Sequence, residues 1–315
     1  MAVTIGIDVG GTKIAGGVVD QAGTIIASTR IPTDSADPGG IVTGIVKVGR
    51  ELLAAAPAVS AVGVGAAGLI DASRGVVLSA PNLAWRNVAL GSMLEDRLGL
   101  PVAVDNDANV AAFAEALYGA GRDAGDQVTV TLGTGVGGGI IIEGRIYRGA
   151  RGVGAEIGHM VIGGTSGPPC GCGNRGCLEA LASGTAMGRM ARERAGEPAA
   201  RAVLEAANGS PDAITGEIVG AVALSGDPFA CEVLAEAGRW LGLGLGSLVN
   251  LLDPAVIIVG GGAAAPGELI LRPARAAMAS TIIGVEAREP PPVVPAALGA
   301  DAGVVGAAAL ALARS

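Results

Sequence analysis

One local pattern occurs twice in this chain and constrains its fold more than any other feature. Residues 3–9, 14–19 and 24–29 read as three short strands rich in β-branched side chains. They are joined by Gly10-Gly11-Thr12-Lys13 and by the turn Asp20-Gln21-Ala22-Gly23. About 125 residues later the pattern returns, with a strand at 127–132, a glycine-rich turn at 133–139 and strands at 140–143 and 145–147. Two such units predict an α/β protein of two related halves, each opening on an antiparallel meander instead of a βαβ unit.

The segments between these units supply the helices. Apolar residues Ile41, Ile45, Val48 and Leu52 recur at helical spacing within 40–55. A strand at 61–66, a loop running to Trp85, a helix at 90–98 and a strand at 102–104 follow. Asp105-Asn106-Asp107 then caps an alanine-rich helix at 108–118. Residues 150–179 read as a Gly/Pro/Cys loop and 181–250 as largely helical. A strand at 256–259, a helix at 268–278, a short strand at 292–295 and a helix at 302–314 close the chain. The expected domains are a small one, 1–106 with 299–315, and a large one, 107–298.

Composition excludes several classes. The 315 residues include 54 glycines and 17 prolines without a triplet period, so the chain is not collagen-like. Half the residues are apolar and 16% are charged, enough to bury a core. Trp, Tyr and Phe occur only twice each, so Val, Ile and Leu must fill that core. A net charge of −8 argues against a nucleic-acid-binding surface. The N-terminus has no basic region before Asp8, so no signal peptide is expected. The most apolar stretch, 240–252, is shorter than the ~20 residues a span needs and reads as a buried helix. The expectation is therefore a cytoplasmic protein without a membrane partner.

Glycine clusters at strand ends are more informative than the glycine total. In Asp8-Val9-Gly10-Gly11-Thr12-Lys13, backbone N–H groups could approach an anion, Lys13 adds charge, and Asp8 could hold Mg²⁺. A glycine hairpin with a capping aspartate is the alternative. Five glycines fall within 133–139, around Thr134 and Gly135, and Gly260, Gly261 and Gly262 follow the strand at 256–259. Three such turns across two halves point to a nucleotide held in a cleft between domains.

His159, Cys170, Cys172 and Cys177 lie within 19 residues and offer four N/S donors, a full tetrahedral set for structural zinc. Three reduced, unliganded thiols are the alternative. Asp105-Asn106-Asp107 is either helix capping or an acceptor site in which Asp107 takes a proton from a hydroxyl during phosphoryl transfer. Glu156 and Glu179 flank the metal loop. They read either as acceptors for vicinal sugar hydroxyls or as solvated loop charges.

Together Asp8-Val9-Gly10-Gly11-Thr12-Lys13, residues 132–139, Glu156-Ile157-Gly158-His159 and the run from Cys170 to Glu179 resemble the ROK family of repressors and sugar kinases. The likeness runs from Asp8 to the closing alanine-rich segment. It implies an actin-like ATPase (ribonuclease-H-like) fold of two domains with a cleft between them. It further implies ATP- and Mg²⁺-dependent phosphorylation of a hexose, with glucose favoured by Pro81-Asn82-Leu83 and Trp85. On that pattern Gly10, Gly11, Thr12, Lys13, Thr134, Gly135, Gly261 and Gly262 contact the nucleotide. Asp107 is the base, and Gly68, Asn82, Asn106, Glu156, His159 and Glu179 hold the sugar. His159 would serve zinc and sugar through different ring nitrogens. Other hexoses (fructose, mannose, an N-acetylhexosamine), polyphosphate as donor, a filament protein and a sugar-sensing repressor are the rival readings. The repressor needs a DNA-binding module, and the first strand begins at Val3. A homodimer or homotetramer is expected.

Overall fold

The computed structural model describes residues 3–34 and 37–313. Its contacts outline two compact units. The first comprises Met1–Gly125, Gly139–Ala155 and Ala297–Ser315, and the second Asp126–Gly138 and Glu156–Ala296.

The first unit opens as the sequence suggests. Strands β1 (Val3–Val9), β2 (Lys13–Asp20) and β3 (Ile25–Pro32) form an antiparallel meander. Asp20 fixes the second turn by accepting from the N–H groups of Ala22 and Thr24, both at 2.9 Å. Helix α1 (Pro38–Ala55) starts at Pro38 behind the cap of Asp37 and buries Ile41, Ile45, Val48 and Leu52. Strand β4 (Val59–Ala66) lies parallel to β1. The stretch after Ala66, expected as a loop as far as Trp85, instead carries a small antiparallel sheet of β5 (Leu69–Asp71), β6 (Val76–Ala80) and β7 (Trp85–Val88). These strands are only three to five residues long, and the pairing shifts register at Leu69/Ile70, so no clean alternation marks them. Helix α2 (Leu90–Leu98), β8 (Val102–Asn106) and α3 (Asp107–Tyr118) follow. The main sheet has the order β3-β2-β1-β4-β8.

The second unit begins with β9 (Gln127–Leu132), which turns into β10 (Val136–Ile142). The expected turn at 133–139 is shorter than anticipated because Gly137, Gly138 and Gly139 lie inside β10. A side chain at Gly138 would collide with Ile157. From Gly139 onward β10 belongs to the first unit, where it pairs with β11 (Arg145–Ile146). Back in the second unit come α4 (Leu178–Ala182), α5 (Gly184–Glu193), α6 (Arg201–Ala206), α7 (Gly216–Leu224) and α8 (Pro228–Leu252). Then follow β12 (Val256–Gly260), α9 (Glu268–Ala279) and β13 (Val293–Pro295), with β9, β12 and β13 parallel. The apolar stretch 240–252 is the second half of α8. It buries Leu241, Leu245, Leu248 and Val249 but leaves Leu251 at 77% exposure. Among the described residues no single helix is long and apolar enough to cross a membrane.

The chain re-enters the first unit at Ala297 and ends in α10 (Ala302–Leu312). Arg314, expected at the end of this helix, lies outside the described residues. Helix α10 packs directly on the main sheet. A Cβ at Gly6 or Gly63 would overlap the backbone oxygens of Val304 and Ala307, so the approach needs glycine in both strands. Thr4 confirms the contact by donating to the Ala308 carbonyl at 2.9 Å. Relative to the expected boundary at residue 107, α3 and residues 139–155 fall in the first unit. The cause is packing, since α3 lies against α10 closely enough that a Cβ at Gly306 would meet the Val110 carbonyl.

Candidate functional site

In the first unit the carboxylates of Asp8 and Asp107 come near one another. Asp8 lies at the end of β1 and Asp107 opens α3. Burial, then the charge of Asp107, push Asp8 up to about 6, with Lys13 opposing. Burial likewise raises Asp107 above the usual carboxylate range, although the Ala108 N–H donates to its Oδ1 at 2.9 Å. Both groups therefore hold protons more tightly in the folded than in the unfolded chain. The charged form of Asp8 costs stability above pH 6, and that cost vanishes below about pH 4. Asp8→Asn is thus expected to stabilise the ligand-free protein by about 1–2 kcal/mol at pH 7.5, with the gain fading toward pH 4. Urea unfolding at the two pH values measures this, and an equal gain at both would contradict it.

Asn106 and Asp105 perform different tasks from Asp107. Asn106 Oδ1 caps α3 by accepting from Ala108 and Asn109, and its Nδ2 donates to the Gly68 carbonyl at 3.1 Å. Gly68 has φ +117°, a conformation that favours glycine. Asn82 is exposed in the 3₁₀ turn between β6 and β7. Asp105 is 1% exposed and turns inward. Its Oδ2 receives Arg148 Nε at 2.7 Å and Nη2 at 2.6 Å, and its Oδ1 receives the Asn106 N–H at 2.8 Å. Sequence reading missed Arg148, which sits 43 residues away. Arg148→Ala leaves a buried carboxylate without its cation and is expected to destabilise the protein by about 3 kcal/mol. Denaturant unfolding checks it, and a loss below about 1 kcal/mol would contradict a clamp at this position.

The turn Gly10 to Lys13 is closed by the Gly10 N–H donating to the Lys13 carbonyl at 3.0 Å. Thr33, also missed, braces it by donating its hydroxyl to Gly10 at 2.8 Å and its N–H to Thr12 at 3.0 Å. Gly11, Thr12 and Lys13 remain exposed.

In the second unit the glycine turn and the cysteine loop are tied together by Glu179. Its Oε2 accepts from the Val136 N–H at 3.1 Å, and its Oε1 from the Cys170 thiol at 3.5 Å. A Cβ at Gly135 would overlap Oε2, so a side chain there would push this carboxylate aside. Glu156 is exposed and precedes the 3₁₀ turn Ile157–His159.

The donor atoms of His159, Cys170, Cys172 and Cys177 all lie within 4.8 Å of one another. Cys172 and Cys177 sulfurs are 3.7 Å apart, as are Cys170 Sγ and His159 Nδ1. A tetrahedral zinc with ~2.3 Å Zn–S bonds requires sulfurs about 3.8 Å apart, so the residues fit that ion. Because Nδ1 faces the sulfurs, Nε2 is left for another partner.

A cavity of about 800 Å³ lies wholly within this unit. It brings expected residues Thr134 and Gly262 together with Gly184 and Gly188 of α5 and Thr215 and Gly216 at the start of α7. Gly261 is not on its wall; it has φ +90° and packs on the Leu132 backbone. The helix residues were missed. Their signal was the i,i+4 glycine pairs Gly184/Gly188 and Gly216/Gly220, which put a small-residue face on each helix. Thr185 ties α5 to the turn by donating to the Thr134 carbonyl at 2.7 Å.

The ROK family profile matches residues 4–314. A glucokinase of Streptomyces coelicolor is 43% identical, covering 99% of this chain and 98% of that protein. The structure of a ROK family glucokinase from Streptomyces griseus in complex with glucose and AMPPNP is 45% identical, with a TM-score of 0.89 over 99% of this chain and 100% of that one. That of a ROK hexokinase from Thermus thermophilus is 34% identical, with a TM-score of 0.81 over 99% and 98% of the two chains. The fold is accordingly the actin-like ATPase fold. A matching profile from end to end, on a structure that gathers the motif residues into an acceptor cluster, a tetrahedral donor set and a glycine-lined cavity, identifies the chain as a member of the ROK family.

Proposed function

We propose that the protein transfers the γ-phosphoryl group of ATP to the 6-hydroxyl of glucose, giving glucose 6-phosphate and ADP. The observation that carries this reading is the end-to-end likeness to a glucokinase solved with glucose and AMPPNP.

The residues in place support each role. Asp107 accepts the proton of the attacking hydroxyl. Its carboxylate is oriented by the Ala108 N–H, which donates to Oδ1, and by a hydrogen bond from the Asn106 side chain. Burial raises its proton affinity, which favours proton transfer in the transition state. Asn106, whose Nδ2 donates to the Gly68 carbonyl, holds the sugar together with Gly68 and Asn82. Glu156 and Glu179 accept from further hydroxyls, and His159 Nε2 donates to one. Gly10, Gly11, Thr12, Lys13, Thr134, Gly135, Gly261 and Gly262 contact the nucleotide, whose adenosine end fits the cavity on α5 and α7. Asp8 would hold Mg²⁺, which neutralises charge on the β- and γ-phosphate oxygens. His159, Cys170, Cys172 and Cys177 would hold zinc in a closed, structural site.

Initial rates over glucose, mannose, fructose and N-acetylglucosamine, each with ATP and with polyphosphate, test the assignment. Glucose with ATP is expected to give the highest kcat/KM by about tenfold or more, roughly the discrimination a few polar contacts provide. A higher value for another pair would replace the substrate.

A further inference from the structure

A second cavity, of about 460 Å³, lies within the first unit and takes no part in the function above. Its apolar wall includes Ala103 of β8, Phe113 of α3, Ile146 of β11 and Leu310 of α10. Two cations, Arg145 and Arg148, complete it. Arg145 is exposed and makes no ion pair or side-chain hydrogen bond among the described residues. Arg148 binds Asp105 through Nε and Nη2, which leaves Nη1 for a second anion. The volume falls in the range of small-ligand sites, ~300–1,000 Å³. An apolar chamber with an unpaired guanidinium calls for an apolar body bearing one carboxylate, the anion that arginine's planar fork matches best.

The cavity is also wired to the catalytic strand. Ala103 lies on β8, two residues before Asp105, and the Asp105 carboxylate holds both Arg148 and the Asn106 N–H. An anion on Arg148 competes with Asp105 for the same guanidinium. It therefore loosens the support of Asn106, which caps α3 and sets the direction of Asp107.

We propose that this cavity is an inhibitory site for a small amphiphilic carboxylate, whose head lies on Arg145 and Arg148 and whose occupation slows turnover by slackening the Arg148–Asp105 clamp. The inhibitory half rests on the kinase reading above, whereas binding does not.

Phenylacetate is the probe and phenylacetamide its neutral control, with calorimetry on the full chain for binding and steady-state kinetics for turnover. Phenylacetate is expected to bind saturably at one site per chain, about tenfold or more tighter than the amide. Arg145→Ala is expected to weaken it by about the same factor while leaving turnover without ligand unchanged. Saturating phenylacetate is expected to lower kcat of the wild type and not of Arg145→Ala. Absence of saturable binding at millimolar concentration, or equal binding of acid and amide, would overturn the site. Binding with undiminished kcat would overturn the inhibition. A chain that binds phenylacetate but phosphorylates no sugar would contradict the kinase reading and leave the site standing.

Discussion

Asp107→Asn is expected to lower kcat by about 10²–10⁴-fold, the contribution of a positioned general base. The change keeps the shape of the side chain and removes only its capacity to take a proton. Oδ1 still accepts from the Ala108 N–H, so the first turn of α3 is preserved, and the Asn106 cap is untouched. KM for glucose should change much less than kcat, because the amide still reaches the hydroxyl. Stability should not fall. Burial penalises the Asp107 carboxylate in the folded state, so an uncharged amide relieves that cost at neutral pH. Steady-state kinetics alongside thermal unfolding separate the effects. A variant retaining more than a tenth of wild-type kcat would remove Asp107 as the base, and a variant that unfolds would make its role structural.

Cys172→Ser is expected to abolish zinc retention and to reduce kcat/KM for glucose by about 10–100-fold, the loss typical when the support of a metal centre fails. Cys172 is exposed, so the substitution removes a ligand without opening the core, unlike a change at fully buried Cys177. The link to the substrate runs through two side chains. His159 would lose the ion that fixes its ring through Nδ1, and Glu179, hydrogen-bonded to Cys170 and to Val136, would lose its anchored loop. KM for ATP should be affected less, since the glycine-lined cavity rests on α5 and α7. Zinc analysis by mass spectrometry, with kinetics on the same sample, checks both halves. Full zinc content in Cys172→Ser would break the donor set, and zinc loss with unchanged glucose kinetics would uncouple metal from substrate.

How much of this was legible in the sequence depended on how local the causes were. The opening meander could be read because β-branched strands and the Asp20 turn specify it within 30 residues. The candidate metal-ligand set could be read because four N/S donors within 19 residues already make up a complete tetrahedral set. The small sheet β5-β6-β7 could not, since strands of three to five residues take their conformation from pairing, not from alternation. The triplet Asp105-Asn106-Asp107 showed chemistry but not its division of labour. Only the structure separates an inward Asp105 clamped by Arg148, a capping Asn106 and an Asp107 beside Asp8. The glycine-lined cavity was half visible. Its strand-end glycines stood out, while Gly184, Gly188, Gly216 and Gly220 were hidden among 54 glycines until two helices brought them to one wall.

The most direct test of the central claim is to identify the products of a single reaction mixture of the zinc-loaded protein, glucose and Mg·ATP by ³¹P NMR. The expected result is ADP and a phosphomonoester on the glucose 6-oxygen, formed in equal amounts. ADP with free phosphate and no sugar ester, or a phosphate on another hydroxyl, would contradict it.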